Sequence, residues 1–413
     1  MEFSKDYLEF VKAHATEDPV KLRLRFHGDE RQWIPLAINN IAILRKCRKF
    51  KLNDETDLTP KVIPLEVSAQ QATSAPVSLL HSKLVNDATL ILDMTFGLGM
   101  DSRLIAVDSG KKIIGFDLKE ELVAAAKVNF EDFPNVEIFM GDSVKFLQEY
   151  VGEGFDLIII DPARRGKDGE RLYNLHDCQP DLIEILPLIM KNTRQLMAKL
   201  SPMLDVTQTV RDLPGLRELH IVEEGNECKE LLAIVDSNSA TEEPHIIIDR
   251  ISKGGLTTFM FKQSEEKSCN TSMSALNCHP QPGDYLLEPS AATMKAAPFN
   301  LLASRFNAIS LHRNTHLYLF PATSTNTIPT EFPGTIYKIE QALPLTSSNL
   351  KLLAKSLDRA DIAVRNVKGF TPDTLRKRLK LKPGGNLKLY AITLATTTDG
   401  EIPFLLLVSP ASK

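Results

Sequence analysis

The spacing of apolar residues changes along the chain and separates three regions. Over residues 1–80, apolar side chains recur at helical spacing, for instance at Tyr7 and Phe10, and predict a helical N-terminal region. Over residues 81–240, short apolar runs alternate with amphipathic segments, and two runs within 216–235 predict a closing antiparallel pair. Because alternating strands and helices form βαβ units, we expect a parallel sheet covered by helices on both faces.

The remainder of the chain carries scattered strand and helix signals, which predict an α+β structure. These signals divide into two small modules, over residues 275–325 and 330–413. Polar stretches at 237–243 and 264–274 are predicted to be linkers or exposed loops.

Composition and charge narrow the class of protein. The chain has 413 residues and a net charge of −4, so it is not a basic nucleic-acid binder as a whole, although charge can be segregated between domains. Its five cysteines never form a C-x-x-C pair, which argues against a disulfide framework or a zinc ribbon and favours a reducing compartment. The histidines are isolated, so we expect no metal site. Because we see neither a signal peptide nor a long apolar run, we expect a cytoplasmic protein.

The most informative stretch follows the first apolar run of the middle region. A predicted strand ends at an acidic residue, and a loop with two glycines then opens a helix. Glycine lets a backbone turn tightly and approach a ligand, and this loop lies at the carboxyl edge of the sheet, where doubly wound folds bind ligands. The candidate cofactor-binding residues of this stretch are Asp93, Thr95, Phe96, Gly97, Gly99 and Asp101.

Three further acidic residues end the next three predicted strands. Asp117 is placed to accept hydrogen bonds from both hydroxyls of a ribose, and Asp142 from an adenine amino group. Each of them can instead serve only as a helix cap. Asp161 ends the fourth strand. The dinucleotide fingerprint G-x-G-x-x-G is incomplete, because its third position is Ser102, and this favours S-adenosylmethionine (SAM) over NAD.

The glycine-rich loop resembles motif I of class I SAM-dependent methyltransferases, in particular those that modify exocyclic amines of RNA bases. Nearly the whole chain is similar to a bacterial family that joins such a domain to a ferredoxin-like module and a C-terminal THUMP-like domain. The residues that carry this wider resemblance lie at 161–165, 199–205, 227–232, 360–366 and 375–380. The resemblance implies an α/β fold with a Rossmann-like, seven-stranded methyltransferase sheet, SAM as the cofactor and a role on RNA.

The run that follows the fourth strand departs from the amine methyltransferase motif. Asp161, Pro162 and Arg164 fit its pattern only in part, because the motif carries an aromatic residue where Arg164 stands. The run also resembles the motif of uracil-C5 RNA methyltransferases, but those need a cysteine on the following strand, and residues 198–205 contain none. We therefore expect transfer to an amine or another direct transfer without a covalent intermediate. The resemblance implies an exocyclic amine of an RNA base, with guanine N2 of ribosomal or transfer RNA preferred.

Each residue of this run has an expected role in the transfer. Asp161 orients the amine, and Pro162 fixes the loop and holds a carbonyl outward. Arg164 either clamps a phosphate near the target base or belongs to a solvated ion pair with nearby acids.

Two other parts of the chain carry functional expectations. In the family that the chain resembles, a stretch similar to residues 66–74 covers the methionine end of the cofactor, so Gln70 and Ser74 are candidates to bind it; the alternative is a polar linker. From residue 351 onward, twelve basic and five acidic residues give a net charge of +7, which suits an RNA-docking module.

The leading hypothesis is an RNA base methyltransferase that uses SAM. One alternative is a methyltransferase for a small molecule or a protein, whose activity would not depend on RNA. The other is a non-catalytic RNA-binding protein with a vestigial cofactor site, which would bind RNA but not SAM.

Overall fold

The computed structural model describes residues 3–47, 49–53, 56–164, 174–237, 243–269, 279–322, 327–397 and 400–411. The chain divides into two compact units. The first comprises residues 1–224 and 229–244, and the second comprises residues 225–228 and 245–413. Among the described residues, no helix combines the length and the apolar character needed to cross a membrane.

The first unit begins with helices and continues as an alternation of strands and helices. Its helices are α1 (Lys5–Ala13), α2 (Pro19–Arg25), α3 (Ile34–Lys46), α4 (Glu66–Gln71), α5 (Ala75–Leu84), α6 (Met100–Ala106), α7 (Glu120–Asn129), α8 (Ser143–Glu149), α9 (Leu182–Asn192) and α10 (Val206–Asp212). Its strands are β1 (Leu90–Asp93), β2 (Lys112–Asp117), β3 (Val136–Met140), β4 (Phe155–Ile160), β5 (Ala163–Arg164), β6 (Cys178–Gln179), β7 (Thr193–Leu200), β8 (Leu216–Glu224) and β9 (Glu227–Asp236).

Seven strands of the first unit lie side by side in the order β8-β9-β7-β4-β1-β2-β3. The pairs from β7 to β3 are parallel, and β9 runs antiparallel to β7. The central strands are apolar along nearly their whole length, because helices cover both faces of a parallel sheet; Ile91, Leu92 and Ile158 are fully buried. The order and directions of these strands confirm the predicted Rossmann-like class I methyltransferase sheet.

The helical character predicted for the N-terminus is also confirmed. In α1, Tyr7, Phe10 and Val11 form one apolar face, because residues three and four apart lie on the same side of a helix. This face packs with Leu22 of α2 and Ile38 of α3 in one buried cluster.

The second unit contains short helices, a β-hairpin and a sheet of seven strands. Its elements are β10 (His245–Ser252), β11 (Gly255–Phe261), α11 (Gln263–Ser268), β12 (Tyr285–Pro289), α12 (Ala291–Ala296), α13 (Phe299–Arg305), β13 (Ile309–Ser310), β14 (Tyr318–Phe320), β15 (Gly334–Pro344), α14 (Ser347–Ser356), β16 (Asp361–Arg365), α15 (Pro372–Leu379), β17 (Lys388–Thr396) and β18 (Gly400–Pro410). β10 and β11 form an antiparallel hairpin.

Seven strands of this unit follow the order β13-β14-β12-β15-β18-β17-β16. Successive side chains of a strand point to opposite faces. Accordingly, Tyr390 and Ile392 of β17 belong to one core cluster, and Leu389 and Ala391 belong to another, which also contains Leu375 of α15. The α+β prediction is confirmed for this part of the chain.

One predicted loop is wrong in its first half. Residues 264–274 were expected to be a linker or an exposed loop, but Gln263–Ser268 form α11. This helix buries none of its residues, and it is held by Glu265, which pairs with Arg305, and by Glu266, which accepts from two backbone N–H groups of α13. Residues 270–274 of that stretch, and 238–242 of the other polar stretch, lie outside the described residues.

Candidate active site

A cavity of about 160 Å³ lies at the carboxyl ends of β1, β4 and β7. Side chains that follow parallel strands meet at one edge of the sheet, which is where open α/β sheets bind ligands. Seven of the predicted site residues line this cavity: Asp93, Thr95, Phe96, Gly97, Gly99, Asp101 and Asp161.

The loop between β1 and α6 forms one wall of the cavity. Gly97 and Gly99 both have left-handed backbone conformations, with φ of 55° and 72°. A Cβ on Gly99 would lie 2.4 Å from the Phe130 ring and 2.5 Å from the Phe96 ring, so no other residue fits there without displacing them. The loop therefore needs glycine for both its conformation and its packing.

Asp93 stabilises this loop through hydrogen bonds. Its buried carboxyl accepts hydrogen bonds from the Ser102 hydroxyl at 2.7 Å and from the Thr95 backbone N–H at 3.2 Å. Burial raises the pKa of Asp93 to about 7, and the nearby Asp101 carboxylate adds to this effect. Asp93 thus ties the end of β1 to both the loop and the following helix.

Asp117 and Asp142 are at strand ends, as predicted, but neither lines the cavity. The Asp117 carboxylate accepts from the backbone N–H groups of Gly97 and Lys119, at 3.0 and 2.9 Å. Asp142 caps α8 by accepting from the Val144 N–H at 2.9 Å. The capping role that the sequence left open is therefore present at Asp142, while Asp117 supports the glycine-rich loop.

Asp161 lies immediately after β4, with about half of its side chain exposed. Its backbone N–H donates to the Thr95 hydroxyl at 2.7 Å, which joins the ends of β1 and β4. Its Oδ2 atom lies 3.0 Å from Nζ of Lys199. A carboxylate that is anchored on one side and exposed on the other is suited to contact a ligand.

Lys199 is a buried cation at the base of the cavity. Nζ lies 2.8 Å from the Thr73 hydroxyl, 2.8 Å from Oδ2 of Asp101 and 3.0 Å from Asp161. Burial by itself lowers the pKa of Lys199, but the carboxylates of Asp101, Asp161 and Glu230 outweigh it and raise the pKa well above the ordinary lysine value. Lys199 is therefore a permanent positive charge at physiological pH.

The charge network continues inward from Asp101. His81 is fully buried between Asp101, 2.8 Å from Nδ1, and Glu230, 2.5 Å from Nε2. Burial lowers the pKa of His81, but Glu230 and Asp101 outweigh it and raise the pKa to about 9. Burial likewise raises the pKa of Asp101, while Lys199 and His81 bring it far below the ordinary aspartate value. The buried charges are therefore paired, as burial requires.

The remaining predicted residues lie outside the lining of this cavity. Ser74 is buried and donates to Glu224 at 2.8 Å. Gln70 lines a separate, open cavity of about 500 Å³ between α3 and α4. Pro162 is buried next to Asp161. Arg164 pairs through its backbone with Cys178 in a two-stranded ribbon, and its side chain lies outside the described part of the chain.

The sequence analysis assigned no role to several polar residues that line this cavity. Thr73 and Gln71 line it from the segment where Gln70 and Ser74 were predicted. Lys199 belongs to one of the runs behind the family resemblance, yet it received no role. The available signal was a lysine within the apolar run 196–200, near the carboxyl end of the next long strand after the one that Asp161 follows.

The fold and the site together define the class. The first unit has the fold of class I methyltransferases, with its glycine-rich loop and an acidic residue after the fourth strand at the edge where such sheets bind ligands. In the second unit, family models match a ferredoxin-like domain over residues 285–333 and a THUMP-like domain over residues 334–408.

Similar proteins agree with this class. The whole chain is similar to a candidate methyltransferase from Porphyromonas gingivalis W83, with a TM-score of 0.84, 29% sequence identity and coverage of 100% of both chains. This similarity spans both units, and together with the two family models it confirms the expected combination of a methyltransferase sheet with ferredoxin-like and THUMP-like domains.

Two curated relatives match a smaller part of the chain. Both are named uncharacterized RNA methyltransferases. The protein from Halalkalibacterium halodurans is 29% identical over 125 residues, which are 28% of this chain and 27% of the relative. The protein from Clostridium tetani is 32% identical over 127 residues, which are 29% of this chain and 27% of the relative. The chain thus matches about a quarter of the length of these relatives.

Proposed function

We propose that this protein uses SAM to methylate an exocyclic amine of an RNA base, with guanine N2 of ribosomal or transfer RNA as the preferred target. The observation that carries the proposal is Asp161, whose half-exposed carboxylate stands beside a glycine-rich loop at the ligand-binding edge of a methyltransferase sheet. The curated relatives named as RNA methyltransferases support RNA as the substrate.

The residues around the cavity fit SAM. The left-handed Gly97 and Gly99 keep Cβ atoms out of the loop, which leaves room for a ligand against the backbone. The half-exposed carboxylate of Asp161 suits the cationic parts of SAM. Gln71 and Thr73, rather than Gln70 and Ser74, line the cavity and are the candidates to bind the methionine end of SAM.

The protein has to align the reacting groups rather than activate a weak nucleophile. SAM supplies a methyl group on a sulfonium, which is a strong leaving group. Asp161 accepts a hydrogen bond from the acceptor amine and stabilises the positive charge that grows on its nitrogen. As the new N–C bond forms, the bonding pair of the broken C–S bond goes to sulfur, and the nitrogen then releases a proton to Asp161 or to water. Pro162 fixes the loop that carries Asp161.

The second unit provides the proposed RNA contact. The basic side chains of α15 and the turn after it are exposed at Lys377, Arg378, Lys380 and Lys382. Phosphate contacts from such residues give affinity and position the substrate, whereas the target base is chosen in the active site. Arg164 is a further candidate for a phosphate contact near the target base.

The test is methyl transfer from labelled SAM to unmodified ribosomal and transfer RNA transcripts, followed by nucleoside analysis for N2-methylguanine. Asp161→Asn should lower kcat by about 100-fold or more while leaving the affinity for S-adenosylhomocysteine (SAH) unchanged. Asp87→Asn removes an exposed carboxylate elsewhere on the same unit and should have no effect. Full turnover in Asp161→Asn would rule out the proposed role of Asp161.

A further inference from the structure

The strand register brings Lys199 beside Asp161. Ile160, the last residue of β4, is paired with Ala198 of β7, so the next residues of the two parallel strands are Asp161 and Lys199. Lys199 is nearly buried, whereas Asp161 is half exposed at the cavity. The lysine therefore approaches the carboxylate from the protein side and leaves its other side to the cavity.

The Lys199 ammonium donates hydrogen bonds to Oγ1 of Thr73 and Oδ2 of Asp101, and Oδ2 of Asp161 is the third oxygen within 3.0 Å of Nζ. Thr73 and Asp101 hold Nζ from below, and Asp101 is itself held by the buried His81. Because these partners belong to α5, α6 and the segment before α5, the ammonium cannot turn away from Asp161 without breaking a buried network.

The ion pair occupies only one oxygen of the carboxylate. Lys199 contacts Oδ2 of Asp161, and among the described residues Oδ1 has no hydrogen-bond partner. A freely rotating carboxylate would present either oxygen in many directions. One whose Oδ2 is fixed presents Oδ1 in a single direction, which is what the alignment of an acceptor amine requires.

We propose that Lys199 is the positioning residue of the active site: it fixes Oδ2 of Asp161 so that Oδ1 faces the amine that receives the methyl group. This inference rests on the proposed function. Lys199 does not act as a base, because its ammonium is held protonated by the surrounding carboxylates.

The test uses two ligands and needs no RNA substrate. Sinefungin carries an amine where SAH carries a thioether. The preference of the protein for sinefungin, which is the ratio of the SAH dissociation constant to the sinefungin dissociation constant, therefore measures the interaction between Asp161 and a cationic N–H donor. Calorimetric titration of the full-length protein gives both dissociation constants. Asp161→Asn should lower the preference for sinefungin by roughly tenfold to a hundredfold, since it removes a charged hydrogen-bond acceptor.

A double-mutant cycle then separates positioning from a merely structural role. Lys199→Gln should lower the preference for sinefungin by about tenfold in the wild-type background. In the Asp161→Asn background, it should leave that preference unchanged. The coupling between the two residues is then about tenfold. Lys119→Gln is the matched control, because Lys119 lines the same cavity without an ion pair to Asp161. It should show no coupling to Asp161→Asn.

A milder variant covers the case in which Lys199→Gln fails to fold. Thr73→Val removes one of the three partners of Nζ and keeps the charge, so it should change the preference in the same direction by a smaller factor. Equal effects of Lys199→Gln with and without the Asp161 carboxylate, or no effect at all, would overturn the inference. If wild-type protein binds neither ligand, the proposed function itself fails and the inference falls with it.

Discussion

Gly99 combines two constraints in one residue of the cavity wall. Its φ of 72° disfavours any side chain, and its missing Cβ leaves space that the rings of Phe96 and Phe130 fill. Gly28 has a similar φ of 81° but open space around the Cβ position. The two glycines therefore allow the conformational cost of a side chain to be separated from the packing cost.

Substitution of each glycine by alanine measures these two costs. Gly28→Ala should lower the free energy of unfolding by about 1 kcal/mol, the cost of a left-handed conformation. Gly99→Ala should lower it by about 1–3 kcal/mol more, because the added methyl group forces two aromatic rings to move. Chemical denaturation of both variants checks the difference. Equal losses would contradict the packing described for the loop.

His81 makes stability depend on pH. The folded protein holds this imidazolium between Glu230 and Asp101 with a pKa of about 9, against 6.5 in an unfolded chain. The stabilisation is thus complete below pH 6.5 and is lost as the pH rises toward 9, with a total of about 3 kcal/mol.

Unfolding free energies measured from pH 6 to 9.5 test this dependence. Wild-type protein should lose stability across that range, and His81→Gln should show a much flatter profile although it is less stable overall. Asp93, whose pKa of about 7 lies at the lower end of the range, is present in both proteins and serves as the common background. Parallel profiles would show that His81 is not charged in the folded state.

At the residue scale, the sequence predicted the acids and glycines of the site better than its cation. Asp93, Gly99 and Asp161 could be predicted because strand ends and tight turns leave a local signature. Lys199 could not, because its role depends on partners from α5, α6 and the end of β4 that are distant in the chain.

At the element scale, the alternation of strands and helices was predictable from the sequence. Which side chains of a short segment face the cavity was not predictable. From the last turn of α4 to the start of α5, Gln71 and Thr73 line the cavity, whereas Gln70 lines a separate cavity and Ser74 donates to Glu224. A shift of one residue decides which of these polar side chains face the cavity. The composition of the segment carries no information about that shift. The helix α11 was missed because it buries no apolar face, and polar contacts to α13 hold it instead. The hairpin β10–β11 was missed although the buried run Ile246, Ile247 and Ile248 carries a strand signal.

The helix α15 and the residue that follows it carry exposed basic side chains of the proposed RNA-docking surface. Lys377→Glu with Lys380→Glu changes two exposed basic residues of the proposed RNA-docking surface. Binding to bulk transfer RNA should weaken, and the slope of log affinity against log salt concentration should become shallower by about 1.5, as expected for two lost phosphate contacts. Filter binding over a range of salt concentrations measures both quantities.

A charge-matched variant of the first unit provides the control. Lys83→Glu with Lys127→Glu alters the net charge by the same amount at two exposed lysines of α5 and α7. It should leave the salt slope unchanged. If both double variants weaken RNA binding equally, then binding depends on net charge alone and not on α15.

At the scale of the whole molecule, the proposed chemistry and the proposed RNA docking belong to different units. The first unit carries a methyltransferase sheet with its cavity, and the second carries ferredoxin-like and THUMP-like domains. The net charge of −4 for the whole chain does not reveal its basic C-terminal part, which has a net charge of +7 from residue 351 onward. This division could be anticipated from the sequence, because each part has its own pattern and charge.

The central claim is that the first unit binds SAM at the carboxyl edge of its sheet. Calorimetric titration of the purified full-length protein with SAH, and with NAD in parallel, tests it most directly. We expect micromolar binding of SAH and no binding of NAD. Binding of NAD, or the absence of SAH binding with RNA present as well as without it, would contradict the account.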